Sequence, residues 1–169
     1  NRTVKEPIQC ADLESGSSQY YSKTSPNGLS FTTTFTCSAW VKLESYTAGG
    51  IIARRNADTE GWSFQVESTG QITLIALRIA GNSKLGTTYQ SIPLGKWVHV
   101  AASMDVTVAG DASTLMYIDG VLVPSSVTTN GTCTALVQGT TALVVGAEKS
   151  AGTLPFDGKI AQAAVYSAV

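Results

Sequence analysis

Phe35, Cys37, Ala39 and Val41 alternate with Thr36, Ser38, Trp40 and Lys42. An apolar period of two residues describes a β-strand with one face in a core and the other turned away from it. The same alternation recurs in Trp62, Phe64 and Val66, in Ile72, Leu74 and Ala76, and in Val98, Val100, Ala102 and Met104. Gly49 to Ala53 and Ala142 to Gly146 are short continuous apolar runs, and their length and glycine flanks favour interior strands over buried helix turns. No long stretch carries a 3.6-residue period, so helix is scarce. Phe35, Ala39, Val41, Phe64, Val98, Val100 and Ile160 are the expected core.

Turn signals separate these runs from one end of the chain to the other, which is the pattern of a sandwich and not of alternating β and α units. The firmest one is Asp119-Gly120, set between Met116-Tyr117-Ile118 and Val121-Leu122-Val123. Asp-Gly supplies the two positive φ angles of a type I′ hairpin. A second, Asp157-Gly158, precedes a closing strand over Lys159 to Tyr166. Residues 1–10 lack any period and contain Pro7, so they are expected to form an arm or linker, and 11–169 a single all-β domain.

Composition narrows the function. A hydrophobic fraction of 43% with 14% charged residues supports a sizeable core. A formal charge of −1 with no block of like charge gives no basis for nucleic-acid binding. No apolar run reaches the ~20 residues of a membrane span. Cys37 lies on the apolar side of its strand and reads as a buried thiol, which leaves Cys10 with Cys133 as the pair a disulfide would need.

Several stretches together resemble the laminin-G-like jelly-roll family, a branch of the concanavalin A-like lectin and glucanase fold. Glu14-Ser15-Gly16-Ser17-Ser18-Gln19-Tyr20 resembles its first strand, Phe35 to Lys42 its second, and Gly50-Ile51-Ile52-Ala53-Arg54 the next. Gly95-Lys96-Trp97-Val98-His99-Val100-Ala101 is the most specific match. Tyr117-Ile118-Asp119-Gly120, Val144-Val145-Gly146 and Phe156-Asp157-Gly158-Lys159-Ile160 follow in the family's order. The resemblance implies a two-sheet antiparallel jelly-roll sandwich with variable rim loops. It also implies membership of a group that includes sugar binders, adhesion modules and structural spacers, so fold alone does not assign the function.

Catalysis is not expected. Glycosidases of this fold carry closely spaced acids on one strand. Here Asp12 with Glu14 opens the module, and Asp58 with Glu60 falls in a loop. His99 is the only histidine and has no nucleophile signature around it, so it reads as structural. Trp40 points away from the core face of its strand, where it is either a sugar-stacking platform or a ring covered by a flanking segment.

Two sites remain as candidates. Arg54, Asn56, Asp58 and Trp62 gather charged, amide and aromatic groups in one loop, with Tyr89 from a later loop, and these groups suit sugar hydroxyls and a ring face. The alternation with Phe64 and Val66 threatens to turn the Trp62 ring into the core. Several relatives bind calcium at the sandwich edge, which makes Asp157 a candidate Ca²⁺ ligand with Asp12 as partner. Asp157 is equally well read as a plain turn former before glycine. Asn1-Arg2-Thr3 and Asn130-Gly131-Thr132 match the N-glycosylation pattern, which matters only in a eukaryotic secretory context.

The expected function is a non-catalytic carbohydrate-binding or adhesion module on a secreted, cell-surface or virion-surface protein. Its partner is then a glycan or a neighbouring protein surface. The alternative is a structural decoration or fibre module of a particle that packs against neighbouring subunits, with Val4 to Cys10 adding to a neighbour's sheet.

Overall fold

The structure is a computed structural model that describes residues 9–24, 29, 31–56, 59–78, 82–131, 135–136 and 141–167. Two antiparallel sheets pack face to face. The first contains, in spatial order, β1 (Ala11–Leu13), β13 (Gly158–Tyr166), β3 (Thr34–Leu43), β8 (Val98–Asp105), β9 (Thr114–Ile118) and β10 (Val121–Val123). The second runs β11 (Ser125–Asn130), β7 (Asn82–Ser91), β6 (Gln71–Arg78), β5 (Glu60–Val66), β4 (Gly49–Asn56), β12 (Leu143–Val145) and β2 (Tyr21–Lys23). This is the expected jelly-roll sandwich. Its described helical content is two short 3-10 turns, Ser15–Ser17 and Asp111–Ser113. No helix among the described residues is long and apolar enough to cross a membrane.

Cross-strand register decides which residues enter the core, because directly paired residues share a face. Ile52 pairs with Phe64 and Phe64 with Leu74, and all three lie in the core. One residue along, Ala53 pairs with Ser63 and Ser63 with Ile75, and this row faces away from it. The expected core residues Phe35, Ala39, Val41, Phe64, Val98, Val100 and Ile160 are all buried, as is Cys37.

The outward face of the second sheet carries a connected polar row. Arg55 is ion-paired with Glu148 and donates to Ser63 Oγ at 3.3 Å. Ser63 in turn donates to Gln65 Oε1 at 3.1 Å, and Gln65 to Glu67 Oε1 at 3.0 Å. Arg55, Ser63, Gln65 and Glu148 are all buried, so mutual satisfaction is what makes this row tolerable. Beside it Ala53, Val144 and Ala147 form a small second apolar cluster. Ala147 and Glu148 belong to the segment after β12, which crosses this face as a strap.

One sequence expectation changes, and others fall largely outside the described residues. Glu14 to Tyr20 is not a strand: Ser15–Ser17 is a 3-10 turn between β1 and β2, and Ser18 ends it in the left-handed region at φ 50°. Short polar side chains bonded to nearby groups compete here with sheet pairing. Cys10 is an exposed free thiol, while Cys133 and residues 1–8 of the expected arm lie outside the described residues. Of the two glycosylation patterns only Asn130 and Gly131 are described.

His99 sits on the outer face of the first sheet, opposite Trp40 in register, with ring centroids 5.3 Å apart. Its backbone N–H donates to Asp119 Oδ1 at 2.9 Å, which ties the β9–β10 turn to β8. Partial burial lowers the His99 pKa, and the Asp119 charge opposes that shift. The unfolded chain therefore takes up this proton before the folded chain does, and stability rises with pH across that window. Acidifying from about pH 7.5 to about pH 5.5 is expected to lower the melting temperature, with a flatter profile in His99→Gln. An unchanged profile in that variant would remove His99 as the source.

Asp119 and Gly120 have φ 51° and 77°, and Ile118 pairs with Val121, so the two-residue turn is the type I′ hairpin expected. A Cβ at Gly120 would meet nothing within 4 Å, which leaves backbone strain as the whole penalty. Gly120→Val is expected to destabilise the domain by about 1–2 kcal/mol in urea unfolding, and Gly120→Asn by less. Equal stability of all three proteins would contradict the turn.

Candidate functional site

The segment between β1 and β2 leaves the edge of one sheet and joins the edge of the other, so it spans the flank of the sandwich. Asp157 anchors it. Its Oδ1 accepts from the Ser15 backbone N–H at 3.1 Å and the Ser15 hydroxyl at 2.8 Å, and its Oδ2 accepts from the Ser45 hydroxyl. The Ser45 hydroxyl holds the Asp157 carboxyl below its usual range, burial opposes that shift, and the Ser15 hydroxyl and N–H add to it. Asp157 therefore pins the crossover to the start of β13 and to the loop after β3. Three donors thus already occupy the Asp157 carboxylate, so its part in the structure is that of an anchor for the crossover.

The crossover frames a surface pocket of about 400 Å³, lined by Asp12, Ser17, Ser18, Gln19, Tyr20 and Tyr21 with Leu13 beneath. Leu13 is buried in the core, while Tyr20 and Tyr21 are 38% and 62% exposed. The Tyr20 ring lies against Gly152 of the strap, where a Cβ would come within 2.4 Å of its Cε1. Gln19 Oε1 accepts from the Glu14 backbone N–H at 3.1 Å, which orients the amide. The pocket thus combines phenol rings, a fixed planar amide, two hydroxyls and a carboxylate.

Beside it, carboxylate oxygens of Asp12, Glu14 and Glu44 lie within 4.8 Å of one another, all exposed. This donor set suits a hard cation such as Ca²⁺. An ammonium already stands there: Lys159 is ion-paired with Asp12 and lies 3.9 Å from Glu44 Oε1. The Asp12 bond, with the Asp12 and Glu44 charges, pushes the Lys159 pKa up.

The described loop residues expected to bind sugar lie apart from one another or turn inward. Arg54 pairs with Trp62, so both point between the sheets. Trp62 is fully buried, and Arg54 is 6% exposed with its guanidinium donating to the carbonyls of Leu29 at 2.8 Å and Thr141 at 3.2 Å. The inward side of the alternation, which includes Phe64 and Val66, claimed both. Asn56 is exposed at the β4–β5 hairpin, and Asp58 lies outside the described residues. Tyr89 is 65% exposed, but it lies near the Gln71–Ser91 end of the β6–β7 pair. Asn56 pairs with Glu60, next to the Gly61–Leu77 end, so the two sit at opposite ends of the sheet.

The pocket was missed because its aromatics, Tyr20 and Tyr21, follow a Ser-rich segment read as a strand. The signal present was the clustering of Ser17, Ser18 and Gln19 directly before them.

Two antiparallel sheets packed face to face in this strand order define the class of jelly-roll sandwich domains. Within it, a laminin-G-type family profile described as the concanavalin A-like lectin/glucanases superfamily matches residues 15–169, and the chain belongs to that family. Comparison with curated proteins returned no match.

Among solved structures, the chain is similar to domain 4 of the extracellular arabinanase AbnA from Geobacillus stearothermophilus, in complex with arabinotriose. The identity is 24% and the TM-score 0.59, covering 83% of this chain and 64% of that one. Mouse laminin α1 domains LG4-5 share 13% identity with a TM-score of 0.67, covering 98% of this chain and 45% of theirs. The sialyllactose-bound module of a Ruminococcus gnavus sialidase shares 14% identity with a TM-score of 0.58, covering 82% and 77%. These likenesses establish the fold.

Lys159 and a metal ion compete for the same carboxylates, which sets the expected response to calcium. Millimolar calcium should raise the melting temperature of the natural chain by less than about 2 °C and that of Lys159→Ala by roughly 5 °C. Equal responses would show that Lys159 does not compete, and no response in either would exclude the cluster as a cation site.

Proposed function

We propose that the domain is a non-catalytic glycan-binding module of a secreted or surface-displayed protein, and that it takes sugar in the pocket between β1 and β2. The observation that carries this reading is the lining of that pocket. A pyranose offers an apolar ring face and a belt of hydroxyls, which call for an aromatic surface beside fixed donors and acceptors. Tyr20 and Tyr21 supply the surface, while Gln19, Ser17, Ser18 and Asp12 supply the polar partners. Similarity in fold to a domain solved with arabinotriose and to a module solved with sialyllactose supports sugar binding in general, without indicating which sugar.

Glycoside hydrolysis is the competing use of a carboxylate pair beside a sugar. A general acid needs apolar shielding that keeps its proton near neutral pH. Asp12, Glu14 and Glu44 are exposed, and Asp12 is tied to Lys159. The cluster therefore acts as a charged rim.

The test is a glycan array followed by calorimetric titration of the best hit. Tyr21→Ala and Gln19→Ala are each expected to weaken binding about tenfold or more, and Asn56→Ala to leave it unchanged. Full affinity in both pocket variants would move the site elsewhere, and an array without hits would favour a packing module on a particle or surface assembly.

A further inference from the structure

The charge around the pocket points to the kind of sugar it takes. None of the residues lining it is cationic. Asp12 contributes its carboxylate to the pocket, and oxygens of Glu14 and Glu44 lie within 4.8 Å of it and of each other. Three ammonium groups stand around these three carboxylates, none of them lining the pocket, and one of them, Lys42, pairs in register with Lys159. Lys159 is committed to Asp12, and exposed Lys23 stands two residues along β2 from Tyr21. Sites for carboxylated, sulfated or phosphorylated sugars place an arginine or lysine against the anion. This pocket instead places a carboxylate against the ligand.

We infer, building on the glycan-binding reading above, that the pocket selects neutral sugar units and rejects their sialylated, sulfated or uronic-acid counterparts. Two physical effects act together. A ligand anion seated near Asp12 meets like charge at close range, and it finds no guanidinium to replace the water it loses. The donors present, the Gln19 amide and the Ser17 and Ser18 hydroxyls, are neutral and match sugar hydroxyls. A volume of about 400 Å³ suits one or two rings, so a short neutral unit is the expected ligand.

The experiment titrates the intact domain with matched pairs of oligosaccharides that differ by one sialyl, sulfate or uronate group. The measurements are made at low salt and again at about 0.5 M sodium chloride. The anionic partner should bind roughly threefold to tenfold more weakly at low salt, with the gap closing as salt screens the rim. In Glu14→Gln/Glu44→Gln the gap should shrink while affinity for the neutral partner is kept, which also reports that the variant is folded. An anionic partner that binds as well as or better than the neutral one, with both lost in Tyr21→Ala, overturns the inference and leaves glycan binding standing. Absence of binding by either partner overturns both.

Discussion

The packing of Trp62 against Phe35 ties the two sheets together, and the rest of the surface follows from it. Phe35 belongs to β3 in one sheet and Trp62 to β5 in the other, with ring centroids 5.7 Å apart. Phe31 completes the cluster at 5.9 Å from Phe35 and 6.1 Å from Trp62. Trp62 Nε1 finds no hydrogen-bond partner among the described residues. An orphaned donor costs about 1–3 kcal/mol. Burying an indole by area contributes about 4–6 kcal/mol, so the ring stays inside. Once Trp62 is inside, its pair partner Arg54 must point the same way, so neither side chain is displayed at the surface of that loop.

Strands with apolar alternation were legible because burial of one face writes itself into the residue types. β3, β5, β6 and β8 have that signature. β7, from Asn82 to Ser91, and β11, from Ser125 to Asn130, do not. β11 is rich in Ser and Thr and is an edge strand paired only with β7, where backbone bonds do the ordering that apolar residues do elsewhere. Such pairing leaves little trace in composition. The direction of a loop side chain is still less legible, since one step of register turns it over.

Asp157 illustrates a second limit. Phe156-Asp157-Gly158 was recognisable as a turn, but ligand and turn former were equally good readings of its carboxylate. What the structure adds is the arrival of Ser15 and Ser45, 142 and 112 residues away in sequence, as donors to that carboxylate. Neither is conspicuous in a chain rich in serine. Asp157 therefore acts on the candidate site through position, by holding the crossover that forms the pocket wall.

The placing of the Tyr20 ring has an equally indirect origin. The strap after β12 is held by the Arg55–Glu148 ion pair and by backbone bonds from Ser150 to the Arg55 carbonyl at 3.1 Å and from Glu148 to the Thr153 carbonyl at 2.9 Å. A bond of 2.9 Å from the Gly152 N–H to the Lys149 carbonyl closes the turn that presents Gly152 to the Tyr20 ring. A buried ion pair by itself adds little stability, because desolvation offsets most of the attraction. Its value here is geometric. A one- or two-ring ligand makes too few contacts to order a loose site, since each immobilised side chain costs about 0.5–1.5 kcal/mol on binding. With Asp157 pinning one side and Arg55–Glu148 the other, Tyr20 and Gln19 are held in place, as the proposed sugar site requires. The polar row on the outer sheet face thus serves the flank pocket, although none of its residues lines it.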